Sequence, residues 1–597
     1  MSALRLARRA GAIVVLAIAT AAIAAPTANK ELAALFEREF KWALDEHPEF
    51  ATFLGIDGYG DRLTDYSPQS VRRRREHLAT VAADLRRFDP KDLSTQDRIS
   101  RDVMLDEVLL SQREDAMYGD LPFSSGDGWA RVTSMNGPQD NLAGLARATR
   151  FRRVADYEDY LKRLALIPKS IEQQQAMLEA GIRSGWVPPR AAMERVPGML
   201  AVFAGADIAA SPEWRPFENF PGDIPAADRE RLAAAGKRVL SEQVHPAFAR
   251  LKRFIEEKYL PACSRSLAAS SLPAGPAYYA LRVNRMTTTT LTPAEIHETG
   301  KREVARIRAA MNEVIASTGF KGTFPEFLEF LKIDPRFFFK TPESRLMAYR
   351  DIGKRADAEL PKLFATLPRL PYGIRAMEAY EGDNSDHYSP GAIDGSRAGF
   401  FEANVNNLEK RPSHEMESTL LHETVPGHHL QIARAQEIEG LPVFRRTGWY
   451  VAYGEGWALY AESLGYEMGL YKDPYSRFGA LAGEMLRACR LVIDTGLHSF
   501  NWTRDQSIRY LAENAGVHQD YATAEIDRYI VWPGQALGYK IGELKIKALR
   551  AKAKDALGDK FDLRRFHNAV LDDGALPLTV LEARIDEWIA SERAAKR

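Results

Sequence analysis

Apolar residues recur at spacings of three and four over 71–88, 157–180, 228–259 and 293–317, and this periodicity predicts amphipathic helices. The last of these has a clear start at Thr292-Pro293-Ala294-Glu295. Threonine can cap the helix, proline fits its first position, and the glutamate can reach back to the cap. The four arginines from Arg72 to Arg75 point all round such a helix, which predicts a solvated face rather than an anion site. Strand signals are few. The clearest is the short apolar run 398–405, Ala398-Gly399-Phe400-Phe401-Glu402-Ala403-Asn404-Val405, whereas 205–223, rich in Pro, Ala and acidic residues, reads as a loop. No repeat, low-complexity tract or Gly/Ser linker marks a boundary, so one large, mainly α unit over 25–597 is the simplest organisation.

The first thirty residues break the pattern. Arg5, Arg8 and Arg9 make a positive start, 10–25 is almost wholly apolar, and Ala22-Ile23-Ala24 supplies a small-x-small site. This is the layout of a secretory signal peptide over 1–24, cut after Ala24. A membrane anchor needs about 20 apolar residues, and this run is shorter and ends at Pro26. No later segment is long and apolar enough to span a bilayer. The expectation is an exported protein, periplasmic or secreted, with no membrane span in its mature form.

Composition narrows the function. The 597 residues carry 81 basic and 81 acidic side chains, which lacks the clustered basic footprint of a nucleic-acid binder. Loss of the leader removes three arginines and no acid, leaving a mature net charge of about −3. Two cysteines, Cys263 and Cys489, exclude a disulfide scaffold and a four-cysteine zinc site, and whether they pair is open. Gly-x-Ser-x-Gly elbows, Walker loops and dinucleotide fingerprints are absent.

The candidate chemistry lies in His422-Glu423-Thr424-Val425-Pro426-Gly427-His428-His429. In the His-Glu-x-x-His zinc pattern, two histidines four apart share a helix face and lie about 6 Å apart along the axis. Here the fifth position is Pro426, so the simple pattern fails. In an unbroken helix His428 would sit about 240° round from His422, and His429 roughly 10 Å up the axis, too far for one zinc. Pro426 lacks an N–H and clashes with the carbonyl of His422, and Gly427 tolerates unusual dihedrals. Reading Pro-Gly as a two-residue insertion restores a zinc-binding helix with a bulge, with His428 as second ligand and His429 as the alternative. A catalytic zinc usually takes three protein ligands and keeps one open position. Gly454-Glu455-Gly456-Trp457-Ala458-Leu459-Tyr460-Ala461-Glu462 supplies an apolar helix with two carboxylates seven apart on one face. Glu455 is the favoured third ligand, with Glu462 as an acceptor for a ligating histidine. Glu423, beside the metal, is the general base for a zinc-bound water. The competing interpretation is a packing cluster whose histidines merely satisfy buried polar groups. Three histidines and a glutamate within eight residues, followed by a carboxylate-bearing helix, favour the metal.

With these motifs the chain resembles the bacterial domain-of-unknown-function 885 family. Further matches are Arg487-Ala488-Cys489-Arg490 through His498, and Arg528-Tyr529-Ile530-Val531-Trp532-Pro533-Gly534-Gln535-Ala536-Leu537-Gly538-Tyr539. That family is similar to the gluzincin metallopeptidases, of the thimet oligopeptidase and angiotensin-converting enzyme type. The resemblance implies a two-lobed helical clamshell with a deep central cleft and a short β edge segment near the site. It implies one zinc per chain on His422, His428 and Glu455, with Glu423 as base. It further implies Gly399 and Phe400 on an edge strand that pairs with substrate backbone. Tyr539 becomes the candidate oxyanion stabiliser, with Tyr529 as fallback, while His498 and His518 carry weaker signals. The implied function is a zinc-dependent hydrolase of short peptides or small amides. The alternatives are hydrolysis or lysis of a non-peptide metabolite by the same site, and a non-catalytic exported binding protein.

Overall fold

The computed structural model describes residues 29–126, 128–205, 207–377 and 385–595, so the leader and its cleavage point lie outside the described residues. The chain is mainly α. The periodic segments fold as helices Pro68–Arg86, Val154–Ser184 and Pro293–Thr318, close to the bounds their apolar spacing sets. Thr292 and Glu295 form the expected reciprocal cap, with Thr292 N–H donating to Glu295 at 2.8 Å and Glu295 N–H to Thr292 Oγ1 at 3.3 Å. The segment 228–259 is helical throughout but not uniformly α, because Leu240–Val244 and Ile255–Tyr259 widen into π turns. Arg74 departs from the solvated face: it is buried and donates to the Asp65 carbonyl at 3.0 Å. The 205–223 loop contains two short 3-10 turns, Ile208–Ala210 and Pro212–Phe217.

Three strands form one small sheet: β1 (Tyr372–Ala376), β2 (His387–Ser389) and β3 (Gly399–Ala403), in the order β1-β3-β2. β3 runs parallel to β1 with Tyr372 opposite Gly399, and antiparallel to β2 with His387 opposite Glu402. The strand foreseen as an edge is therefore the central one, and the edges are β1 and β2.

Buried apolar side chains gather into distinct cores. One draws on residues between Val132 and Cys263, another on residues between Ala192 and Ala536, and the largest surrounds the helices that carry the site. Two of those helices, Val451–Ser463 and Leu537–Leu557, meet backbone to backbone. A Cβ on Gly542 would collide with the Ala452 carbonyl, and one on Gly456 with the Gly542 backbone. Only glycine allows that approach, which fixes Glu455 and Tyr539 relative to each other. Gly542→Ala is expected to cost about 1–3 kcal/mol, measured as a lowered midpoint of chemical denaturation. Gly198→Ala, where a methyl meets nothing within 4 Å, is the control expected to leave the midpoint unlowered. The same pair of helices is pinned to its neighbours by Lys540, which is fully buried and ion-paired to Glu303, Glu484 and Glu543 at 3.1, 2.6 and 2.5 Å. Cys263 and Cys489 are both buried and free, so they do not pair. Among the described residues no helix is long and apolar enough to cross a membrane.

Candidate metal centre

The helix Met416–Glu423 stops because its next residues cannot continue it. Thr424 leaves helical geometry at φ −115° and ψ −105°, and both its N–H and its hydroxyl donate to the Leu420 carbonyl, at 2.8 and 2.7 Å. Pro426 has no N–H to offer, and its carbonyl is held by the Trp457 indole at 2.8 Å. Gly427 passes so close to the Leu421 and His422 carbonyls that a Cβ has no room. A new helix, His428–Glu437, then begins. The bulged single helix expected from the sequence is thus two helices with a sharp turn between them. The physical reason is that Thr424 caps the first and Gly427 allows the chain to fold back on it.

The turn brings His422 and His428 together, ring centroids 4.7 Å apart and 85° between planes. Their Nε2 atoms lie 3.4 and 3.3 Å from the same Glu455 oxygen, Oε2. Glu423 offers a carboxylate oxygen that lies, with one nitrogen of each histidine, in a group spanning no more than 4.8 Å. His429 does not join them. Its Nδ1 bonds to the Tyr388 hydroxyl at 2.8 Å and its Nε2 to the Leu370 carbonyl at 3.0 Å, so the alternative ligand faces the sheet.

These separations test whether a metal fits. Ligands held at about 2.0–2.1 Å on a tetrahedron are about 3.3 Å from one another, and the two His–Glu455 distances match that edge. A charge-assisted hydrogen bond would be shorter, at about 2.7–2.9 Å. The contact behind the cluster has that shorter length: His422 Nδ1 to Glu462 Oε1 is 2.8 Å. With Nδ1 committed to Glu462, Nε2 is the nitrogen that faces Glu455 and His428. Between Glu423 and Glu455 as third ligand, the distances favour Glu455, because its one oxygen is equidistant from both imidazoles. Glu462→Gln is expected to weaken zinc binding about 10–100-fold, checked by competition with a chelating dye.

The field of the cluster suits a cation. Burial opposes charge on His422, but the carboxylates of Glu455 and Glu462 outweigh it and lift the imidazole to about 9. Burial likewise opposes charge on Glu455, yet the two histidines hold it well below the usual carboxylate range. Glu423 moves the other way, since burial raises it despite the same histidines. Two neighbouring carboxylates pushed apart in this manner suit different tasks, one a permanent anion and the other an acceptor and donor of protons.

The cluster lies on the wall of a cavity of about 890 Å³. Tyr539 lines it, its ring nearly parallel to that of His422 at 6.4 Å and its hydroxyl accepting from Arg528 at 3.1 Å. Tyr529 does not line it. That tyrosine is 1% exposed, donates to Glu525 at 2.6 Å and accepts from Arg490 at 2.9 Å, so it supports the wall from behind. Gly399 and Phe400 are also away from the cavity: Gly399 packs under the Tyr388 phenol and Phe400 under the Arg375 guanidinium, 4.2 Å from the ring centroid. The strand bordering the cavity is β2, through His387 and Tyr388. Of the weaker histidines, His498 is wholly buried and bonded on both nitrogens, to Ala269 N–H at 3.1 Å and the Tyr529 carbonyl at 3.0 Å, while His518 lines the cavity. Sequence reasoning missed Trp449, 43% exposed beside His428 with ring centroids 5.7 Å apart, and Glu415, which forms a further His-Glu pair with His414 and lines the cavity. The recurrence of His-Glu at 414–415 was the one available signal for the latter.

A mainly helical chain with a buried imidazole–carboxylate cluster beside a large cavity is the class that fold and site define. The chain belongs to DUF885, a family described as bacterial protein of unknown function, which matches residues 48–585. It is similar to a "putative lipoprotein" from Colwellia psychrerythraea of known crystal structure, at 29% identity and a TM-score of 0.88, over 94% of this chain and 99% of that one. A "putative lipoprotein of unknown function" from Shewanella oneidensis shares the fold at 16% identity and a TM-score of 0.70, over 92% and 99% of the two chains. No curated protein matches the chain.

Proposed function

We propose that the protein is an exported, zinc-dependent hydrolase that cleaves amide bonds of short peptides. The observation that carries this reading is the placement of His422 Nε2 and His428 Nε2 at 3.4 and 3.3 Å from one oxygen of Glu455, with Glu423 alongside. Zinc on those three side chains would supply Lewis-acid polarisation of a carbonyl and acidification of a water.

The remaining steps belong to the protein's own groups. Glu423 takes the proton of the attacking water and passes it to the departing nitrogen. Its upward displacement by burial suits it to carry that proton between the two events. The Tyr539 hydroxyl accepts from Arg528, which leaves its own hydrogen to donate to the developing oxyanion. The outer edge of β2 at the cavity wall offers backbone partners to an extended chain. The Trp449 ring beside His428 offers an apolar surface to a substrate side chain. A volume of about 890 Å³ lies at the upper end of the range for small-ligand sites, about 300–1,000 Å³, and favours short peptides over folded proteins. Export is supported by the apolar leader behind Arg5, Arg8 and Arg9 and by the description of the Colwellia protein as a lipoprotein.

The test is hydrolysis of a peptide library beside a set of N-acyl amino acids by the zinc-loaded protein. Cleavage of peptides that stops on chelation and returns with zinc is expected. Turnover of other amides with every peptide left intact would overturn the peptidase assignment.

A further inference from the structure

The same cavity wall holds three guanidinium groups with too few partners. Arg487 and Arg490 are three apart on the helix Pro474–Ser499 and so share a face, and Arg528 reaches them from the helix Gln519–Val531. All three line the cavity. Against them stand Glu525, Glu462 and Glu415, all on the cavity wall. Glu525 is shared, at 2.7 Å from Arg490 and 3.4 Å from Arg528. Glu462 is already taken by His422 at 2.8 Å and lies 3.7 Å from Arg487, beyond hydrogen-bond reach.

Their donors are only partly spent, although Arg528 donates to Gln535 at 2.7 Å and to Tyr539 at 3.1 Å. Among the described residues Arg487 makes one hydrogen bond, to the Gly483 carbonyl at 3.2 Å. Among the described residues, Arg487 Nε, Arg490 Nη1 and Arg528 Nε are buried without any partner. Arg490 is only 3% exposed, so its guanidinium has given up water without full compensation. Arg487 and Arg528 keep 18% and 19% of their side-chain surface, and they line the cavity. Arginine's planar fork matches a carboxylate, and such paired bonds are strongest where water is excluded. The site is close to the proposed chemistry, because the Arg490 guanidinium lies 4.4 Å from the centroid of the Tyr539 ring, and that ring is 6.4 Å from His422.

We propose that Arg487 and Arg528, backed by Arg490, form a subsite for a carboxylate of the substrate, so that the cavity selects molecules with an anionic group near the scissile bond. The hydrolase reading supplies what happens to the bound molecule; capture of the carboxylate stands apart from turnover. The carboxylate is the end of a peptide chain or an acidic side chain.

The direct probe is calorimetric titration with 3-phenylpropanoate and with its neutral amide. The wild-type protein is expected to prefer the acid by about tenfold or more. Arg487→Gln should erase the preference and Arg487→Lys should retain part of it. Equal binding of acid and amide to the wild type would overturn the proposal. So would a preference that survives Arg487→Gln, since another group would then be the anion's partner. Cleavage of matched peptides, free acid against C-terminal amide and internal Asp against Asn, then separates the two sources. A carboxylate preference in a protein that cuts no peptide would support the subsite and count against the peptidase reading alone.

Discussion

Glu423→Gln is expected to lower turnover about 10²–10⁴-fold while leaving about one zinc per chain. The glutamine keeps the size and hydrogen-bonding shape of the side chain but can neither accept nor hand on a proton at neutral pH. Glu423 follows His422 directly, and its carboxylate joins the two imidazoles in a group spanning no more than 4.8 Å, whereas Glu455 bridges both imidazoles at 3.3–3.4 Å. Removing its charge should therefore spare the metal and abolish the chemistry. The measurements are kcat on a cleaved peptide and metal content by mass spectrometry of the same sample. Loss of zinc together with activity would make Glu423 a ligand; unchanged kcat would remove it from the reaction.

His422→Ala is expected to have the opposite signature, with zinc falling from about one per chain to near none and thermal stability becoming insensitive to added zinc. Three contacts end at that ring: Glu455 on one nitrogen, Glu462 on the other, and His428 across the turn. A wild-type protein that binds zinc only when folded gains stability as RT ln(1 + [L]/Kd), about 2.7 kcal/mol at a hundredfold excess over Kd. The variant should show none of that gain in a zinc titration followed by melting temperature. His429→Ala is the control. That ring is tied to Tyr388 and Leu370 and should keep both the zinc and its effect, whatever it costs in folding.

The parts of this site that were legible in the sequence are those encoded by local spacing. His422-Glu423 with Pro426-Gly427 announces a metal pattern with a broken helix, and Glu455 with Glu462 announces two carboxylates on one face. Which of His428 and His429 turns inward depends on how the chain folds back at Thr424 and Gly427, and that is set by the Leu420 carbonyl and the Trp457 indole. Tyr539 stands ahead of Tyr529 in the sequence only through resemblance, and which of the two lines the cavity is decided by packing. The arginine cluster was invisible for a related reason: Arg528 comes from a helix other than that of Arg487 and Arg490, and only tertiary structure shows that Glu525 must serve two of them.

The fold follows the same division. Long helices such as Pro293–Thr318 are written in apolar periodicity and caps, whereas the π turns at Leu240–Val244 and Ile255–Tyr259 leave no such mark. β3 was recognisable as an apolar run, but its place between two partners was not. β1 and β2 are five and three residues long, too short for alternation to register, so the edge was assigned to the wrong strand.

X-ray absorption at the zinc edge, on wild-type protein reconstituted with zinc and freed of excess metal, tests the metal centre most directly. The expected result is about one zinc per chain with nitrogen and oxygen neighbours at about 2.0–2.1 Å, an imidazole contribution from two histidines, and no sulfur. A chain that retains no stoichiometric zinc, or a first shell containing sulfur at about 2.3 Å, would contradict a centre built from His422, His428 and Glu455.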